Sequence, residues 1–238
     1  MNSISQTIKQ VHNTLDVQNI SRVYQTPAGK VVALKNVSFS VPKCQFVSIV
    51  GPSGSGKSTL LNMIGALDKP TRGTVLMDGI NIFTLPDNKL AKIRNNKIGF
   101  VFQSFNLINR STVQKNIELP GIISGMNSTI RNKRALNILQ TLGILNKAKQ
   151  KPNNLSGGEQ QRVAIGRALI NNPSIILADE PTGNLDTANG EEIFQLLSQL
   201  TKKYFRTVIM ITHNVDLAKR TDRSIYMKDG AIEKDVYN

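Results

Sequence analysis

Short, predominantly apolar runs recur along the chain, with segments of helical periodicity between them. The apolar runs lie at residues 46–50, 98–102, 174–178 and 207–212. Helical periodicity follows the first run and returns over residues 188–203. Because strands that are buried on both faces are apolar throughout, this pattern predicts a parallel sheet that helices cover on both sides.

A second set of segments, in which short β-favouring stretches are separated by turn signals, predicts an antiparallel β subdomain. These segments are residues 15–20, 31–34, 37–41, 74–77 and 80–82. The last two flank Asp78-Gly79, a dipeptide that is typical of tight hairpins. Residues 224–227 and 231–233 flank a similar turn at Asp229-Gly230 and are expected to close the domain.

The pattern becomes helical from about residue 111 to residue 151, which predicts a helical lobe inserted into the sheet domain. We place this lobe at about residues 104–168 of a single domain that spans residues 15–238. Residues 1–14 form an N-terminal extension. Apolar residues recur in it at helical spacing, which is typical of a short amphipathic helix. The alternative is a frayed polar tail, because so short a helix is marginal in water.

The chain is strongly basic, with a formal net charge of +14 over its 238 residues. Such a charge is typical of binding to nucleic acid or an anionic membrane face, but the basic residues are dispersed and favour a solvated surface. No apolar run approaches the roughly 20 residues that cross a bilayer, and no signal peptide is recognisable, so we expect a soluble, cytoplasmic chain. Cys44, the single cysteine, excludes an internal disulfide and a cysteine-rich zinc site.

A glycine-rich loop joins the first apolar run to an apolar helix. Its residues are Gly51, Pro52, Ser53, Gly54, Ser55, Gly56, Lys57, Ser58 and Thr59. Glycines allow several backbone N–H groups to approach one phosphate. Lys57 adds a cation for the β- and γ-phosphates, Ser58 adds a hydroxyl for Mg²⁺, and the helix N-terminus adds a positive dipole. The loop therefore predicts a nucleoside triphosphate site.

Polar residues follow the other buried strands directly, and ligands of open α/β sheets bind at such strand ends. Asp179 is predicted to hold Mg²⁺, and Glu180 to orient or deprotonate the attacking water. His213 is either a contact of the γ-phosphate or a buried, hydrogen-bonded histidine. Gln103 is assigned to catalysis and to the Mg²⁺ site, with an ordinary strand-end glutamine as the alternative.

These pieces resemble the ATP-binding cassette (ABC) ATPases, and one run makes the resemblance specific. That run is Leu155-Ser156-Gly157-Gly158-Glu159-Gln160-Gln161-Arg162. The resemblance implies a P-loop NTPase fold with a RecA-like parallel sheet core, an antiparallel β subdomain and an inserted α-helical subdomain. It also implies ATP and Mg²⁺ as cofactors, stacking of adenine on Tyr24, and a nucleotide contact by Asp186. By itself, Tyr24 either stacks on a purine or packs at the surface.

In such proteins two copies face each other head to tail, and each ATP lies between the phosphate loop of one copy and the signature run of the other. The resemblance therefore implies that Ser156 and Gly158 contact the γ-phosphate of ATP that the second copy holds. Backbone chemistry independently supports this contact, because a helix N-terminus with paired glycines is a second anion site. Closing on ATP and opening after hydrolysis would then drive a partner.

The sub-family is similar to the macrolide-export and lipoprotein-release type (MacB/LolD-like). The residues that carry this narrower likeness are 100–107, 116–120 and 179–186. The likeness implies docking on an integral membrane permease through the groove near Gln103, where Phe105 and Leu107 look exposed. It also implies a peripheral place on the inner face of the cell membrane.

The function that follows is that of an ATP-hydrolysing subunit of a membrane ABC transporter, of the export, lipoprotein-release or antimicrobial-peptide-resistance type. The alternative is a soluble ABC ATPase that acts on nucleic acid or ribosomes, which the positive charge motivates. We expect no nucleic-acid partner. A P-loop kinase or GTPase would leave the signature run unexplained.

Two residues depart from the family pattern. Cys44 stands where these cassettes commonly have glycine, in the turn before the first buried strand. Gly166 replaces a common alanine in the helix after the signature run, at a cost of about 1 kcal/mol in helix propensity.

Overall fold

The computed structural model describes residues 13–27 and 29–238, where the chain forms two sheets and surrounding helices. Its strands are β1 (Asn13–Thr26), β2 (Gly29–Pro42), β3 (Phe46–Val50), β4 (Arg72–Met77), β5 (Ile80–Asn81), β6 (Ile98–Phe102), β7 (Ile175–Asp179), β8 (Thr207–Thr212), β9 (Arg223–Lys228) and β10 (Ala231–Tyr237). Its α-helices are α1 (Lys57–Ile64), α2 (Asp87–Lys97), α3 (Val113–Ile123), α4 (Ser128–Thr141), α5 (Gly157–Leu169), α6 (Thr187–Lys202) and α7 (Val215–Ala218). None of the helices in the described ranges is both long and apolar enough to span a membrane.

The larger sheet has the order β10-β9-β3-β8-β7-β6, and its strands are parallel except for β10. The smaller sheet has the order β2-β1-β4-β5 and is antiparallel throughout. One apolar core lies between α1 and the two sheets, and a second core joins the parallel sheet to α3, α4, α5 and α6. The predicted combination of a parallel core and an antiparallel sheet is therefore confirmed.

Several predicted bounds change in the structure. The segments at 31–34 and 37–41 belong to one long strand, β2, and Ile82 begins a 3₁₀-helix instead of ending β5. β1 begins at Asn13, whereas the extension was expected to reach residue 14. The rest of that extension lies outside the described residues. Helix α2 was not predicted, because Leu90 is its only buried residue and the polar remainder hides the helical period.

The two departures from the family pattern have physical explanations. Cys44 has φ of 60°, so a non-glycine residue adopts the left-handed conformation in the turn before β3. Gly166 lies where α5 meets its neighbours: a Cβ there would come within 2.8 Å of Ile117 Cδ1 and 3.0 Å of Leu142 Cδ1. Glycine at this position therefore permits close helix packing, which offsets its poor helix propensity.

Gly166 and Gly190 form a matched pair for testing this explanation. A Cβ at Gly190, in α6, would meet nothing closer than Thr182 Cβ at 3.6 Å. We expect Gly190→Ala to raise the free energy of unfolding by about 0.5–1 kcal/mol, as alanine does in helices. Gly166→Ala should gain less or lose stability, because its methyl group crowds two core side chains. Urea unfolding measures both, and equal stabilisation by the two variants would contradict the packing explanation.

Candidate functional site

The carboxyl ends of four parallel strands stand level at one edge of the larger sheet. Phe102 of β6 pairs with Asp179 of β7, Asp179 pairs with Ile211 of β8, and Ile211 pairs with Ile49 of β3. The segments that follow these strands border a cavity of about 610 Å³. The predicted residues on its lining are Ser53, Gly54, Gly56, Lys57, Ser58, Thr59, Gln103, Asp179, Glu180 and His213. The structure thus brings together the phosphate loop and all four strand-end residues.

The phosphate loop keeps its shape through left-handed glycines and close backbone packing. Gly54 and Gly56 have φ of 79° and 98°, values that glycine adopts without strain. A Cβ at Gly51 would lie 2.2 Å from the carbonyl oxygen of Met227, so no larger residue fits there. Lys57 Nζ arches over the loop and donates to the carbonyl oxygens of Gly51 and Pro52, at 2.8 Å each. Its ammonium therefore lies at the mouth of the loop, where a phosphate would meet it.

The remaining loop residues support the loop without lining the cavity. Gly51 and Pro52 contribute only the two carbonyl oxygens that Lys57 contacts. Ser55 is buried, and its hydroxyl forms no hydrogen bond within the described part of the chain. Its backbone N–H donates to the carbonyl oxygen of Pro52 at 3.2 Å.

Asp179 and Glu180 occupy the end of β7 in different environments. Burial raises the pKa of the Asp179 carboxyl, the charge of Glu180 raises it further, and Lys57 acts in the opposite direction. Glu180 takes a left-handed backbone conformation with φ of 48°, and its N–H donates to the carbonyl oxygen of Ile211 at 3.1 Å. Both residues line the cavity on either side of this sharp bend after the strand.

His213 contacts the Glu180 side chain directly. Its Nδ1 lies 2.6 Å from Glu180 Oε2, while its ring is 72% exposed and the Glu180 side chain is 19% exposed. The alternative of a buried histidine is therefore wrong. The histidine can fix the orientation of the Glu180 carboxylate while its other ring nitrogen remains at the open side of the cavity.

Gln103 exchanges hydrogen bonds with a residue that the sequence analysis did not assign to the site. Its Nε2 donates to Asn184 Oδ1 at 3.2 Å, and Asn184 Nδ2 donates to the Gln103 carbonyl oxygen at 3.0 Å. A Cβ at Gly183 would lie 2.7 Å from Gln103 Nε2, so a larger residue there would displace the end of the Gln103 side chain. The pair ties the end of β6 to the loop that follows Glu180.

Tyr24 lies beside the cavity and not on its lining. It pairs with Val31 across β1 and β2, and Val31 does line the cavity together with Val32 and Ala33. The Arg22 guanidinium lies 4.4 Å from the centre of the Tyr24 ring, and the Tyr24 hydroxyl donates to Asp68 Oδ2 at 3.0 Å. Purine stacking on Tyr24 stays a prediction. The exposed Val31-Val32 pair is the apolar wall that sequence reasoning missed, since a strand edge and a ligand wall give the same pattern.

The signature residues lie away from this cavity. Ser156 caps α5: its hydroxyl accepts from the Glu159 N–H at 3.3 Å, and Glu159 Oε2 accepts from the Ser156 N–H at 2.9 Å. Asp186 caps α6 in the same way, accepting from the Asn189 N–H at 2.9 Å. A Cβ at Gly158 would lie 2.3 Å from Asn189 Oδ1, so the two helix starts are in contact. Within one chain, Ser156, Gly158 and Asp186 do not join the phosphate-loop residues.

The prediction that Phe105 and Leu107 are exposed is wrong, because both are half-buried. Leu107 packs against the second core, and the Phe105 ring lies against the start of α5. Among the exposed apolar side chains of this region are Leu67 and Ile123. Both line a groove of about 390 Å³ between α2, β6 and α3, which we call the lateral groove.

Comparison with known proteins gives consistent matches over most of the chain. A family model described as ABC transporter matches residues 34–183. MJ0796 of Methanocaldococcus jannaschii, an uncharacterized ABC transporter ATP-binding protein, is 50% identical over 225 residues, covering 93% of this chain and 96% of the relative. The lipoprotein-releasing system ATP-binding protein LolD of Bacteroides thetaiotaomicron is 47% identical, with coverage of 87% and 95%. The macrolide export ATP-binding/permease protein MacB of Chlorobaculum tepidum is 45% identical over 93% of this chain, but the match covers 34% of MacB.

Solved structures of MJ0796 give the same result for the fold. A dimeric structure of that cassette matches with a TM-score of 0.86 and 49% identity, covering 94% of this chain and 98% of that one. A second dimeric structure, of a post-hydrolysis state bound to ADP and Pi, also matches with a TM-score of 0.86.

The position of the Lys57 ammonium leads to a direct test of the cavity. Charge-assisted hydrogen bonds contribute about 1.5–3 kcal/mol, so we expect Lys57→Ala to raise the dissociation constant for ATP about 10- to 100-fold. The exposed Lys43 provides the matched control, because it lies in the turn before β3 and outside the cavity. Calorimetric titration with ATP measures both variants. Unchanged binding by Lys57→Ala would show that the phosphates lie elsewhere.

Proposed function

The chain belongs to the ABC transporter family, as an ATP-hydrolysing cassette of the MacB/LolD type, and we propose that two copies of it drive a separate membrane permease. The resemblance recognised in the sequence is thereby confirmed. The alternative of a cassette that acts on nucleic acid or ribosomes finds no support in these relatives.

We propose that the cavity holds ATP with Mg²⁺ and that its polar residues have separate roles in binding and hydrolysis. The phosphate loop and Lys57 would bind the β- and γ-phosphates, and Glu180 would orient or deprotonate the attacking water. His213 would contact the γ-phosphate and hold Glu180 in place through their 2.6 Å contact. Tyr24, beside the cavity wall, would meet the adenine.

The oxygen-bearing side chains of the cavity fit Mg²⁺ as a cofactor. Ser58, Gln103 and Asp179 all line the cavity and offer a hydroxyl, an amide and a carboxylate oxygen. Within the described residues, no three or more His, Cys, Asp or Glu side chains cluster as a metal site of their own. That combination suits Mg²⁺, which is usually held by one or two carboxylates together with phosphate oxygens and water. When bound, the ion would neutralise charge on the β- and γ-phosphates.

The observation that carries the proposed dimer is the separation of two anion sites within one chain. Lys57, Glu180 and His213 line one cavity, whereas Ser156 and Gly158 open α5 outside it. A head-to-tail pair would place the α5 start of each copy over the cavity of the other, with Asp186 at the same junction. We also propose that residues 104–168 act as one lobe, so that Ser156 moves with it.

The lateral groove is our proposed docking site for the permease. It combines exposed apolar side chains, Leu67 and Ile123, with Asn106 of the turn that contains Gln103. A permease segment in this groove would therefore contact the turn that carries Gln103. This docking would hold the cassette on the inner face of the cell membrane, with export or lipoprotein release as the class of transport.

Mixing two inactive variants tests the shared site. Lys57→Ala damages the phosphate loop but leaves α5 intact, whereas Ser156→Arg blocks the α5 start but leaves the loop intact. In a mixed dimer one of the two composite sites is complete, so random pairing should restore about a quarter of wild-type ATPase activity. Each variant alone is the control. Inactivity of the mixture at every ratio would contradict the shared site.

A further inference from the structure

The turn after β6 holds two residues in an unfavourable backbone conformation. Phe105 and Asn106 have φ of 57° and 51°, and neither is glycine. L-residues rarely adopt this left-handed conformation in succession, because Cβ approaches the carbonyl oxygen. The turn begins at Phe102 and contains Gln103, so its shape decides where Gln103 stands. Something outside the turn must stabilise it.

Arg167 of α5 contacts both strained residues. Its Nη2 donates to the Phe105 carbonyl oxygen at 2.8 Å, and its Nη1 donates to the Asn106 carbonyl oxygen. The planar guanidinium therefore grips successive carbonyl groups in a fixed geometry. In the described part of the chain the side chain forms no ion pair, and burial lowers its pKa. Desolvation of this cation costs free energy, and its hydrogen bonds to the two carbonyl groups must offset that cost.

Arg167 lies where helix α5, the lateral groove and the turn after β6 meet. It belongs to the helix that Ser156 opens, and it lines the lateral groove together with Asn106. The Phe105 ring would be 3.8 Å from a Cβ on Gly157 at the start of α5, and Arg167, near the end of α5, contacts the Phe105 carbonyl oxygen. The turn is therefore fixed to α5 at both ends of the helix.

We propose that Arg167 is a positioning residue for ATP hydrolysis, which holds Phe105 and Asn106 in their left-handed conformation so that Gln103 stays at the cavity. The inference rests on the proposed role of Gln103 in the Mg²⁺ site. Arg167 touches no part of the cavity itself, so its effect reaches the reaction only through the turn. A change in the groove would reach Gln103 by the same route.

The test compares Arg167→Gln and Arg167→Lys with Arg134→Gln. Arg134 is a matched control, because it is a half-buried arginine of α4 that donates to the Ile170 carbonyl oxygen at 3.0 Å. We expect Arg167→Gln to lower kcat about tenfold and to raise the Mg²⁺ concentration for half-maximal activity several-fold, because charge-assisted contacts to the turn are lost. Arg167→Lys, which keeps a cationic donor, should fall between the wild type and Arg167→Gln. The dissociation constant for ATP should change less than about twofold, since the phosphate loop is untouched.

Two results would overturn the inference. One is wild-type kcat and Mg²⁺ dependence in Arg167→Gln. The other is a joint fall of kcat, ATP binding and thermal stability, which would give Arg167 a structural role only. Gln103→Ala separates this inference from the proposed function: if it lowers kcat while Arg167→Gln does not, only the role of Arg167 fails. If Gln103→Ala itself has no effect, the assigned role of Gln103 fails.

Discussion

The register of the parallel sheet is the constraint on which the site depends. Each of β3, β8, β7 and β6 ends within one residue of its neighbour, so four different loops start from one edge. A slip of one residue would move a strand end by about 3.3 Å and turn its side chains to the opposite face. The strands avoid such slips because apolar side chains are buried on both faces of the sheet. The distance of 2.6 Å between His213 and Glu180 is thus a consequence of core packing.

The sequence was sufficient for features whose cause is local. The strands at 46–50, 98–102 and 207–212 have their predicted bounds, because a glycine or a polar residue follows each run directly. The residues at these ends were found for the same reason. Features that depend on a distant partner were not found. Arg167 contacts a turn 62 residues away, and Asn184 pairs with Gln103 across 81 residues, so neither carries a local signal. Helix α2 was not predicted, because a single buried leucine gives no recognisable helical periodicity.

The proposed dependence on a second copy follows from two helix starts that lie in different places on one chain. The α1 start lies under the cavity, while the α5 start is packed against the start of α6 through Gly158 and Asn189. The cap on α5 uses the Ser156 hydroxyl as an acceptor, and a hydroxyl can still donate to a phosphate. In the proposed dimer, ATP would therefore join the two copies. Hydrolysis would remove the shared phosphate and so couple the chemical step to a change of shape.

The most direct test of this account is the molar mass of the Glu180→Gln variant in solution, measured by light scattering with and without ATP and Mg²⁺. The substitution keeps the size and hydrogen-bonding capacity of the side chain but removes the carboxylate that would activate water. We expect a monomer without nucleotide and a stable dimer with ATP, because binding persists while hydrolysis stops. A variant that binds ATP, stays monomeric and hydrolyses it at the wild-type rate would contradict both the shared site and the role of Glu180.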